Sequence, residues 1–521
     1  MAGFAYFAAD PKSLQCCRHY YATLREVKLI FLFPFDPGFR YNENKLTKEI
    51  PMLSRRETKI LATLGTASAT PDMMRALIRE GVDGFRINMS HMHAGELGGW
   101  VRSARAAAAA EGAAIAVVVD LGGPKLRVGS LPDGRMTLVE KATLILGRDL
   151  PVSHPEILAD IRSGQRILLD DGNLELEGLG AVGGGFQVRV KVGGLLLQGK
   201  GINLPDTDLH LPAVTEKDFE DLAAAVKAQV DYVSLSFVQR ADDLQTARRA
   251  ALATGPCPRL IAKIEKPAAV ERFEEILAIT DGIMVARGDL GVEMPPARVP
   301  VLQKQFISRT NAEGKTIITA TQMLESMINN PRPTRAEASD VANAVWDGTD
   351  TVMLSGETAV GKYPVETVRM MREIITEAEQ AASPRREAYR GKTRAHALAA
   401  AAVEAAEELH AAAIVAITVS GYTAQMVAQR RPRVPLIAAV PDEHIRSCLS
   451  LVWGVMPVAV PWRGHSAEFL GALETILLKS GSLKVGDTVV MISGSTKLRG
   501  ADYIMKIHDL GGADKHVERG V

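Results

Sequence analysis

Short apolar runs rich in β-branched residues recur from about residue 56 onward, and stretches with helical spacing of apolar positions separate them. Eight runs share this context: TKILATLG, GFRINMSH, AIAVVVDL, DYVSLSF, RLIAKIE, GIMVARGD, KTIITATQ and DTVMLSGE. Continuous apolar strands that alternate with amphipathic helices are typical of a parallel sheet covered by helices. Because eight such units close a barrel, the pattern predicts an α/β protein built on a (β/α)8 barrel.

The interval between the third and fourth runs, residues 128–211, is too long for a loop and predicts an inserted domain. Its segments alternate apolar and polar residues between Gly and Asp clusters, which predicts a small all-β domain. These segments are RMTLVE, ATLILG, QRILLDDG, LELEG and FQVRVKV. The barrel would then comprise residues 55–127 and 212–385.

A further α/β domain is predicted over residues 386–521. It begins with an Ala-rich helical stretch, AHALAAAAVEAAEELHA, and continues with four apolar runs. These runs are AAIVAITV, PLIAAV, TVVMIS and DYIMKIHDL. Helical stretches between the runs indicate a separate α/β unit.

Residues 1–54 differ from the rest because their apolar residues follow neither a helical nor an alternating period. They are expected to form an N-terminal extension. A disordered extension, a start codon assigned too early with Met52 as the alternative, and an organelle-targeting segment all remain open. The order of features expected of a secretory signal is missing.

Charge and cysteine content narrow the class of protein. Lys plus Arg and Asp plus Glu both number 61, so no global field favours nucleic acid or an anionic membrane. No apolar run reaches the roughly 18 residues of a membrane-spanning helix. Four cysteines in 521 residues are too sparse for a disulfide framework, which indicates a reducing, cytoplasmic location.

Polar residues gather at the carboxyl ends of the predicted strands, where the active sites of such barrels lie. Burying so many charges without partners would be costly, so their presence indicates function. The residues are Arg86, Asn88, Asp120, Lys263, Glu265, Arg287, Asp289, Thr321, Ser355 and Glu357.

Lys263 and Glu265 are two residues apart on one predicted strand, so both side chains face the same side. Asp289 follows the next strand, and two converging carboxylates suit a hard divalent cation such as magnesium. Lys263 beside that cation offers a fixed positive charge for a transferring phosphoryl group. A structural ion pair between Lys263 and Glu265 is the alternative, and Asp289 and Thr321 weigh against it.

Several long segments around these residues closely resemble sequence motifs of the pyruvate kinase family, residue by residue. They are FRINMSH, GINLPD, AKIEK, GIMVARGDLGVE, ITATQMLESM, PRPTRAEASDVANAVWDGTD and VMLSGETA. The resemblance extends from about residue 55 to the end and is strongest over residues 201–368. It implies a TIM barrel enzyme that transfers the phosphoryl group of phosphoenolpyruvate to ADP, giving pyruvate and ATP in the last step of glycolysis.

The resemblance also implies roles for the candidate residues. Lys263 would stabilise the phosphoryl group in flight, while Glu265 and Asp289 would hold magnesium, with manganese as a substitute. Arg86 would grip the phosphate of the substrate, since its fork matches phosphate oxygens bidentately. Backbone N–H groups at Gly288 and Asp289 would receive the substrate carboxylate.

Thr321 resembles the family residue that helps deliver a proton to enolpyruvate. Because a hydroxyl is too weak an acid to act alone, Thr321 is interpreted as a relay, with Ser355 or Glu357 and ordered water supplying the proton. A hydrogen-bonded loop brace is the alternative role for Ser355 and Glu357.

The nucleotide would lie against residues that match the family's ATP side. These are Asn88, Ser90, His91, Arg127 and, from the inserted domain, Lys200. Closure of the inserted domain would exclude water from the phosphoryl group.

Lys125 stands where many family members carry a glutamate that accompanies a potassium ion bound by Asn88, Ser90 and Asp120. Leu121 and Val128 are apolar where potassium users tend to have threonines. The resemblance therefore implies an enzyme that needs no potassium, with Lys125 as the covalent cation. A solvent-facing lysine is the alternative.

The C-terminal domain of the family binds sugar-phosphate or nucleotide effectors. The motif VSGYTAQ carries Ser420, Tyr422 and Thr423, where a sugar phosphate or AMP could bind near a helix start. Plain helix capping by Ser420 and Thr423 is equally open. The resemblance also suggests a homotetramer.

Two other functions compete with the kinase. One is a metal-dependent barrel lyase or mutase acting on phosphoenolpyruvate or pyruvate, against which the inserted domain and Arg127 argue. The other is a catalytically silent sensor, against which Lys263, Glu265 and Asp289 argue.

Overall fold

The computed structural model describes residues 56–209, 211–381, 393–460, 466–479, 481–494 and 503–511. The predicted N-terminal extension, residues 1–54, lies outside these ranges. Among the helices in the described ranges, none is long and apolar enough to cross a membrane.

The described chain begins with three strands that alternate with helices. These elements are β1 (Lys59–Thr63), α1 (Pro71–Glu80), β2 (Gly84–Asn88), a 3-10 turn (Met89–His91), α2 (Ala94–Glu111) and β3 (Ala116–Asp120). Local sequence fixes both ends of α1. The Thr70 side chain accepts the N–H of Met73, and Gly81 ends the helix at a φ of 111°.

Seven strands follow β3 in the interval predicted to hold an inserted domain. They are β4 (Arg135–Leu138), β5 (Thr143–Leu146), β6 (Arg166–Leu169), β7 (Leu174–Val182), β8 (Gly185–Val192), β9 (Gly194–Leu197) and β10 (Ile202–Asn203). Five of them form a sheet in the order β10-β6-β7-β8-β5, and β4 pairs with β9. All five predicted strands are present, whereas β9 and β10 were not predicted because they are too short to show a period.

The next stretch returns to alternating strands and helices. Its elements are α3 (Glu216–Lys227), β11 (Tyr232–Leu235), α4 (Ala241–Thr254), β12 (Arg259–Ile264), α5 (Pro267–Glu271), α6 (Phe273–Ile279), β13 (Gly282–Ala286), α7 (Arg287–Glu293), α8 (Val299–Ala312), β14 (Thr316–Ala320), α9 (Arg335–Asp347), β15 (Thr351–Leu354), α10 (Gly356–Ala359) and α11 (Pro364–Ala381). Strands β1–β3 and β11–β15 form a closed parallel barrel, which confirms the predicted (β/α)8 fold.

A second α/β unit follows α11. It contains α12 (Arg394–Glu408), β16 (Ala413–Ile417), α13 (Tyr422–Ala428), β17 (Leu436–Val440), α14 (Glu443–Leu449), β18 (Val455–Ala459), α15 (Ser466–Lys479), β19 (Thr488–Ser493) and β20 (Ile504–Asp509). The sheet order is β18-β17-β16-β19-β20, which confirms the predicted C-terminal α/β unit. The unpredicted β18 contains Pro457, which an edge strand tolerates.

Two sets of apolar side chains build the barrel. One lies between strands and helices and includes Phe85, Val119 and Ile264. A second, smaller set contains side chains from several barrel strands together with Cys448 and Leu451 of the C-terminal unit. The C-terminal unit therefore shares a core with the barrel.

Four aspartates at the amino-terminal end of the barrel repeat one arrangement. Asp83, Asp231, Asp281 and Asp350 stand directly before β2, β11, β13 and β15, which are every second strand of the barrel. Each carboxylate accepts the N–H of the second residue of the preceding barrel strand: Ile60 at 2.8 Å, Val117 at 2.7 Å, Leu260 at 2.8 Å and Ile317 at 2.9 Å. Each also pairs with an arginine: Arg56 at 2.7 Å, Arg105 at 2.7 Å, Arg248 at 2.9 Å and Arg431 at 2.9 Å. Because charged acceptors strengthen hydrogen bonds, each aspartate stabilises the pairing of the strand that follows it with the preceding strand of the barrel.

Arg431 makes this contact from the C-terminal unit. It is buried, pairs with Asp350 and donates to Asn311 Oδ1 at 3.0 Å and to the Gly348 carbonyl at 2.7 Å. Its guanidinium lies 4.6 Å from the centre of the Trp453 ring. Burial raises the pKa of Asp350, and the charge of Arg431 opposes that rise. Arg431 therefore supplies the opposing charge for a buried carboxyl group where the two units meet.

Replacing Arg431 by Met should lower the free energy of unfolding by about 3–5 kcal/mol, because it leaves the Asp350 charge buried without its partner. Denaturant unfolding of the full chain measures the loss. Arg433→Met, which changes an exposed arginine two residues away, is the matched control and should change stability little. Equal effects of the two substitutions would contradict a specific role for the buried pair.

Candidate active site

Lys263 lies at the centre of a charged cluster at the carboxyl end of the barrel. Its ammonium nitrogen is 2.9 Å from Glu265 Oε1 and 3.4 Å from Asp120 Oδ2. It also donates to Ser236 Oγ at 2.7 Å. Strands β3, β11 and β12 are neighbours in the barrel, which is why residues far apart in sequence meet here.

Burial and charge act in opposite directions on this cluster. Burial disfavours the charged form of Lys263, but Asp120 and Glu265 outweigh it and raise the pKa of the lysine. The pKa of Asp120 is lowered, because Lys263 and Arg86 overcome its burial. The pKa of Glu265 is raised by burial, and Asp289 adds to the rise while Lys263 opposes it. Lys263 is therefore held in its charged form. The ionised form of Glu265 is disfavoured, so additional positive charge nearby would stabilise it.

Arg86 reaches the same cluster from β2. Its Nε donates to Asp120 Oδ2 at 2.9 Å, a second guanidinium nitrogen donates to the same oxygen, and Nη1 donates to Thr63 Oγ1 at 3.2 Å. Ser234 donates to the other oxygen of Asp120 at 2.7 Å. The arginine is thus held in place at the barrel mouth by a buried carboxylate.

Glu265 is anchored through a strained turn after β11. Its Oε2 accepts the backbone N–H of Phe237 at 2.9 Å, and Phe237 has a φ of 56°, a conformation that non-glycine residues adopt at a cost. Asp289, in the first turn of α7, lies 3.7 Å from the ammonium of Lys125. Lysines thus flank both candidate metal ligands.

Thr321 and Gly288 contact each other directly. The backbone N–H of Gly288 donates to Thr321 Oγ1 at 2.7 Å, and the threonine hydroxyl donates to the Ala320 carbonyl at 2.6 Å. Thr321 has a φ of 71°, and Arg287 donates to its carbonyl at 2.7 Å. The N–H expected to receive a substrate carboxylate is therefore occupied by the Thr321 side chain.

Glu357 is fully buried and both its oxygens accept backbone N–H groups. The donors are Leu324 at 3.1 Å and Ser355 at 2.7 Å. These contacts are those of a loop brace, which was one of the two roles predicted for Glu357 and Ser355. They hold the loops after β14 and β15 together beside Thr321.

The residues predicted to face the nucleotide lie at the end of β2, in the segment after β3 and directly before β10. Asn88 accepts the N–H of Ser90 at 3.1 Å and starts the short 3-10 turn that carries the exposed His91. Arg127 donates to the Gly199 carbonyl at 2.9 Å, next to Lys200. Lys200 itself pairs with Asp170 at 2.6 Å, which raises the pKa of the lysine.

Lys125 lines a narrow cleft between the inserted strands and the barrel. The cleft is lined by Lys125, Asn203, Phe237, Lys266 and Asp289, among others. The ion pair that the structure describes for Lys125 is with Asp289, whereas Asp120 is engaged by Arg86 and Lys263. Leu121 is buried.

The predicted effector motif forms the loop after β16, with Ser420, and the first turn of α13, with Tyr422 and Thr423. Ser420 Oγ accepts the N–H of Tyr422 at 3.4 Å, Thr423 is buried and Tyr422 is half-exposed. Arg259, the first residue of β12, donates to the Ser420 carbonyl at 2.8 Å. This loop therefore contacts the strand that carries Lys263 at its other end.

Several residues of the site were not predicted from the sequence. Ser234 in β11 binds Asp120, and Ser236 in the turn directly after β11 binds Lys263. Two hydroxyl residues two apart at the carboxyl end of a predicted strand are a signal that could have identified them. Asn203 donates to Glu293 at 2.8 Å, and Lys266 pairs with the same glutamate. These residues lie in GINLPD, AKIEK and GIMVARGDLGVE, but the motifs alone do not show that the inserted strands and α7 are linked through them.

Comparison with known proteins shows which families and which individual proteins this chain resembles. Residues 55–368 match the family model described as pyruvate kinase, barrel domain, and residues 396–508 match pyruvate kinase, alpha/beta domain. The chain is 40% identical over 471 residues to a pyruvate kinase of Geobacillus stearothermophilus, covering 87% of this chain and 80% of that protein. It is 44% identical over 419 residues to a pyruvate kinase of Agrobacterium vitis, covering 78% and 86%. A pyruvate kinase of Clostridium acetobutylicum is 36% identical over 468 residues, covering 87% and 99%.

Proposed function

Because this chain belongs to the pyruvate kinase family, we propose that the cluster around Lys263 performs the family's transfer of a phosphoryl group from phosphoenolpyruvate to ADP. The chain is a phosphotransferase, and its products are pyruvate and ATP. A coupled assay for ATP formation tests this activity directly and separates it from a lyase, a mutase and a silent sensor.

The observation that carries the proposal is the ammonium of Lys263 between Asp120 and Glu265. A cation held by two carboxylates cannot move away or lose its proton as charge develops on a phosphoryl group. Phosphoryl transfer depends mainly on positioning and charge stabilisation. We assign to Lys263 the stabilisation of the phosphoryl group in flight.

Glu265 and Asp289 fit a divalent cation. Their donors are carboxylate oxygens, which hard cations prefer, and Asp289 raises the pKa of Glu265, so added positive charge between them would be stabilised. We propose magnesium, with manganese as a substitute. When bound, the cation would neutralise charge on the phosphoryl oxygens.

Arg86 and Gly288 would hold the two ends of phosphoenolpyruvate. Asp120 aims the Arg86 guanidinium toward the barrel mouth, where its free N–H groups can bind phosphate oxygens. The Gly288 N–H would exchange its bond to Thr321 for one to the substrate carboxylate. That exchange would free the Thr321 hydroxyl to act as a proton relay to enolpyruvate.

The nucleotide would bind against Asn88, Ser90, His91, Arg127 and Lys200. Arg127 and Lys200 flank the same short backbone segment, since Arg127 pairs with Gly201 in an isolated bridge. Movement of the inserted strands would then carry both cations toward the ATP phosphates and exclude water from the site.

Lys125 would replace the potassium ion that many family members use. Its ammonium is 3.7 Å from Asp289, so its charge lies beside the proposed magnesium ligands. A unit charge about 4 Å from a phosphate is worth roughly 4 kcal/mol at an effective dielectric of about 20. Solvent reduces this value, because the Lys125 side chain is 39% exposed.

The wider organisation is part of the same proposal. We divide the chain into an extension (residues 1–54), a barrel (55–127 and 212–385), an inserted lid (128–211) and a regulatory unit (386–521). We further propose a cytoplasmic homotetramer. A sugar-phosphate or AMP effector would bind at Ser420, Tyr422 and Thr423 and act on the barrel through Arg259.

Lys263→Met should lower kcat by about 10³-fold or more while the fold and phosphoenolpyruvate binding persist, because the lysine acts in the transition state. ATP formation and substrate binding measure the two effects. Lys227→Met, at an exposed lysine of α3, should behave like the parent. An unfolded Lys263→Met protein with a modest loss of rate would instead indicate a structural ion pair.

Thr321→Ala should slow protonation of enolpyruvate by about 10²-fold and phosphoryl transfer much less, because a proton relay serves the second step alone. Exchange of solvent protons into pyruvate reports the first effect. Thr321→Ser keeps the hydroxyl and should retain most of the exchange. Exchange at the parent rate in Thr321→Ala would refute the relay.

Magnesium without potassium should support full activity when a bulky organic cation replaces potassium in the assay. Lys125→Glu should then lose about two to three orders of magnitude and recover in part with potassium, although Leu121 limits the rescue. Lys227→Glu controls for a general effect of charge reversal. A parent enzyme that is nearly inactive without potassium would contradict the role of Lys125.

A further inference from the structure

Three metal-ligating side chains meet where the barrel contacts the C-terminal unit, at the opposite end of the barrel from Lys263. Asp231 precedes β11, whereas His444 and Cys448 are four residues apart on α14 and so share a face of that helix. Their ligand atoms all lie within 4.8 Å of one another. His444 Nδ1 is 3.2 Å from Asp231 Oδ1, and His444 Nε2 is 3.9 Å from Cys448 Sγ.

Asp231 directs one carboxylate oxygen toward His444 and uses the other to bind the barrel. The residue is fully buried, and its Oδ2 accepts N–H groups from Val117 and Arg105, both at 2.7 Å. Within the described part of the chain, Oδ1 of Asp231 accepts no well-aligned hydrogen bond, and its charged neighbour is His444 Nδ1 at 3.2 Å. Buried carboxylate oxygens usually have better-aligned partners, so this oxygen can serve as a metal ligand.

We propose that Asp231, His444 and Cys448 bind one zinc ion, or another divalent ion that prefers sulfur and nitrogen. A thiolate, an imidazole and a carboxylate are the ligand types found at zinc sites. Thiolate and imidazole ligands also disfavour magnesium, which prefers oxygen. The site is therefore chemically distinct from the one proposed at Glu265 and Asp289.

The geometry requires one modest adjustment. Tetrahedral zinc with bonds of about 2.0 Å to nitrogen or oxygen and about 2.3 Å to sulfur separates neighbouring ligand atoms by about 3.3–3.5 Å. The observed separations, which reach up to 4.8 Å, must therefore shorten by as much as about 1.3–1.5 Å to meet tetrahedral bond lengths. The His444 side chain is 51% exposed and can rotate to achieve this, and its open side leaves room for a water as fourth ligand.

A cysteine, a histidine and an aspartate in line also resemble a nucleophilic triad. Burial separates the two interpretations. Cys448 is 1% exposed and is packed in the apolar set that the barrel shares with the C-terminal unit, so a substrate cannot reach its sulfur. A metal ion, which needs only a narrow entry past His444, fits where a substrate does not.

Bound zinc would join the two units at an existing contact. Tyr232 already donates its hydroxyl to the Cys448 carbonyl at 2.6 Å, and Ser450 donates to the Asp83 carbonyl at 2.8 Å. Coordination would add bonds from α14 to the residue directly before β11. Zinc should therefore stabilise the full chain against thermal unfolding, since it binds the folded state alone.

Zinc titration of the chelator-treated full chain tests the proposal. We expect one equivalent bound, a higher Tm and, with cobalt as probe, a thiolate charge-transfer band. His444→Gln, a change at a half-exposed residue, should weaken zinc binding at least about 100-fold, beyond the 10- to 100-fold cost of losing an outer partner. Cys448→Ser should abolish the cobalt band.

The other cysteines supply the matched controls. Cys257→Ser and the double change Cys16→Ser with Cys17→Ser should keep the bound equivalent, the rise in Tm and the cobalt band. Loss of the metal in the double variant, its retention in His444→Gln, or no binding by the parent would each overturn the assignment. Magnesium-dependent ATP formation by His444→Gln should match the parent, so failure of this proposal is separable from failure of the kinase activity.

Discussion

The need to keep a buried ammonium charged governs the arrangement at the barrel mouth. The ammonium group of Lys263 is buried away from solvent at the end of β12, and burial alone would favour its neutral form. Asp120 and Glu265 reverse that preference, and each of these buried carboxylates needs donors of its own. Arg86, Ser234 and the Phe237 backbone supply them. The positions of these groups all follow from one charge.

Backbone strain is found at the same end of the barrel. Phe237 and Thr321 both adopt positive φ, and each presents a group that contacts a catalytic candidate. The Phe237 N–H binds Glu265, and the Thr321 hydroxyl binds the Gly288 N–H. Strained residues persist where the surrounding structure over-determines them, which barrel strands with fixed neighbours can do.

The sequence indicated the fold well because buried parallel strands form continuous apolar runs, and all eight barrel strands were predicted. It was less informative about β9, β10 and β18, which are short or contain a proline. Candidate residues such as Lys263 and Glu265 could be paired from their spacing on one strand. The direction of Lys125 and the contact between Thr321 and Gly288 could not, because they depend on how separate loops pack in three dimensions.

The four aspartates before alternate strands also bear on how the barrel folds. Three of their hydrogen bonds span 23, 21 and 33 residues, whereas the bond from Val117 to Asp231 spans 114 because the inserted strands intervene. Closing a longer loop costs more conformational entropy before the stabilising contacts can form, so contacts between distant residues slow folding. Three strand pairs can thus assemble as local β-α-β units. Among the four pairs that the aspartates link, the pair formed by β3 and β11 should therefore be the last to form.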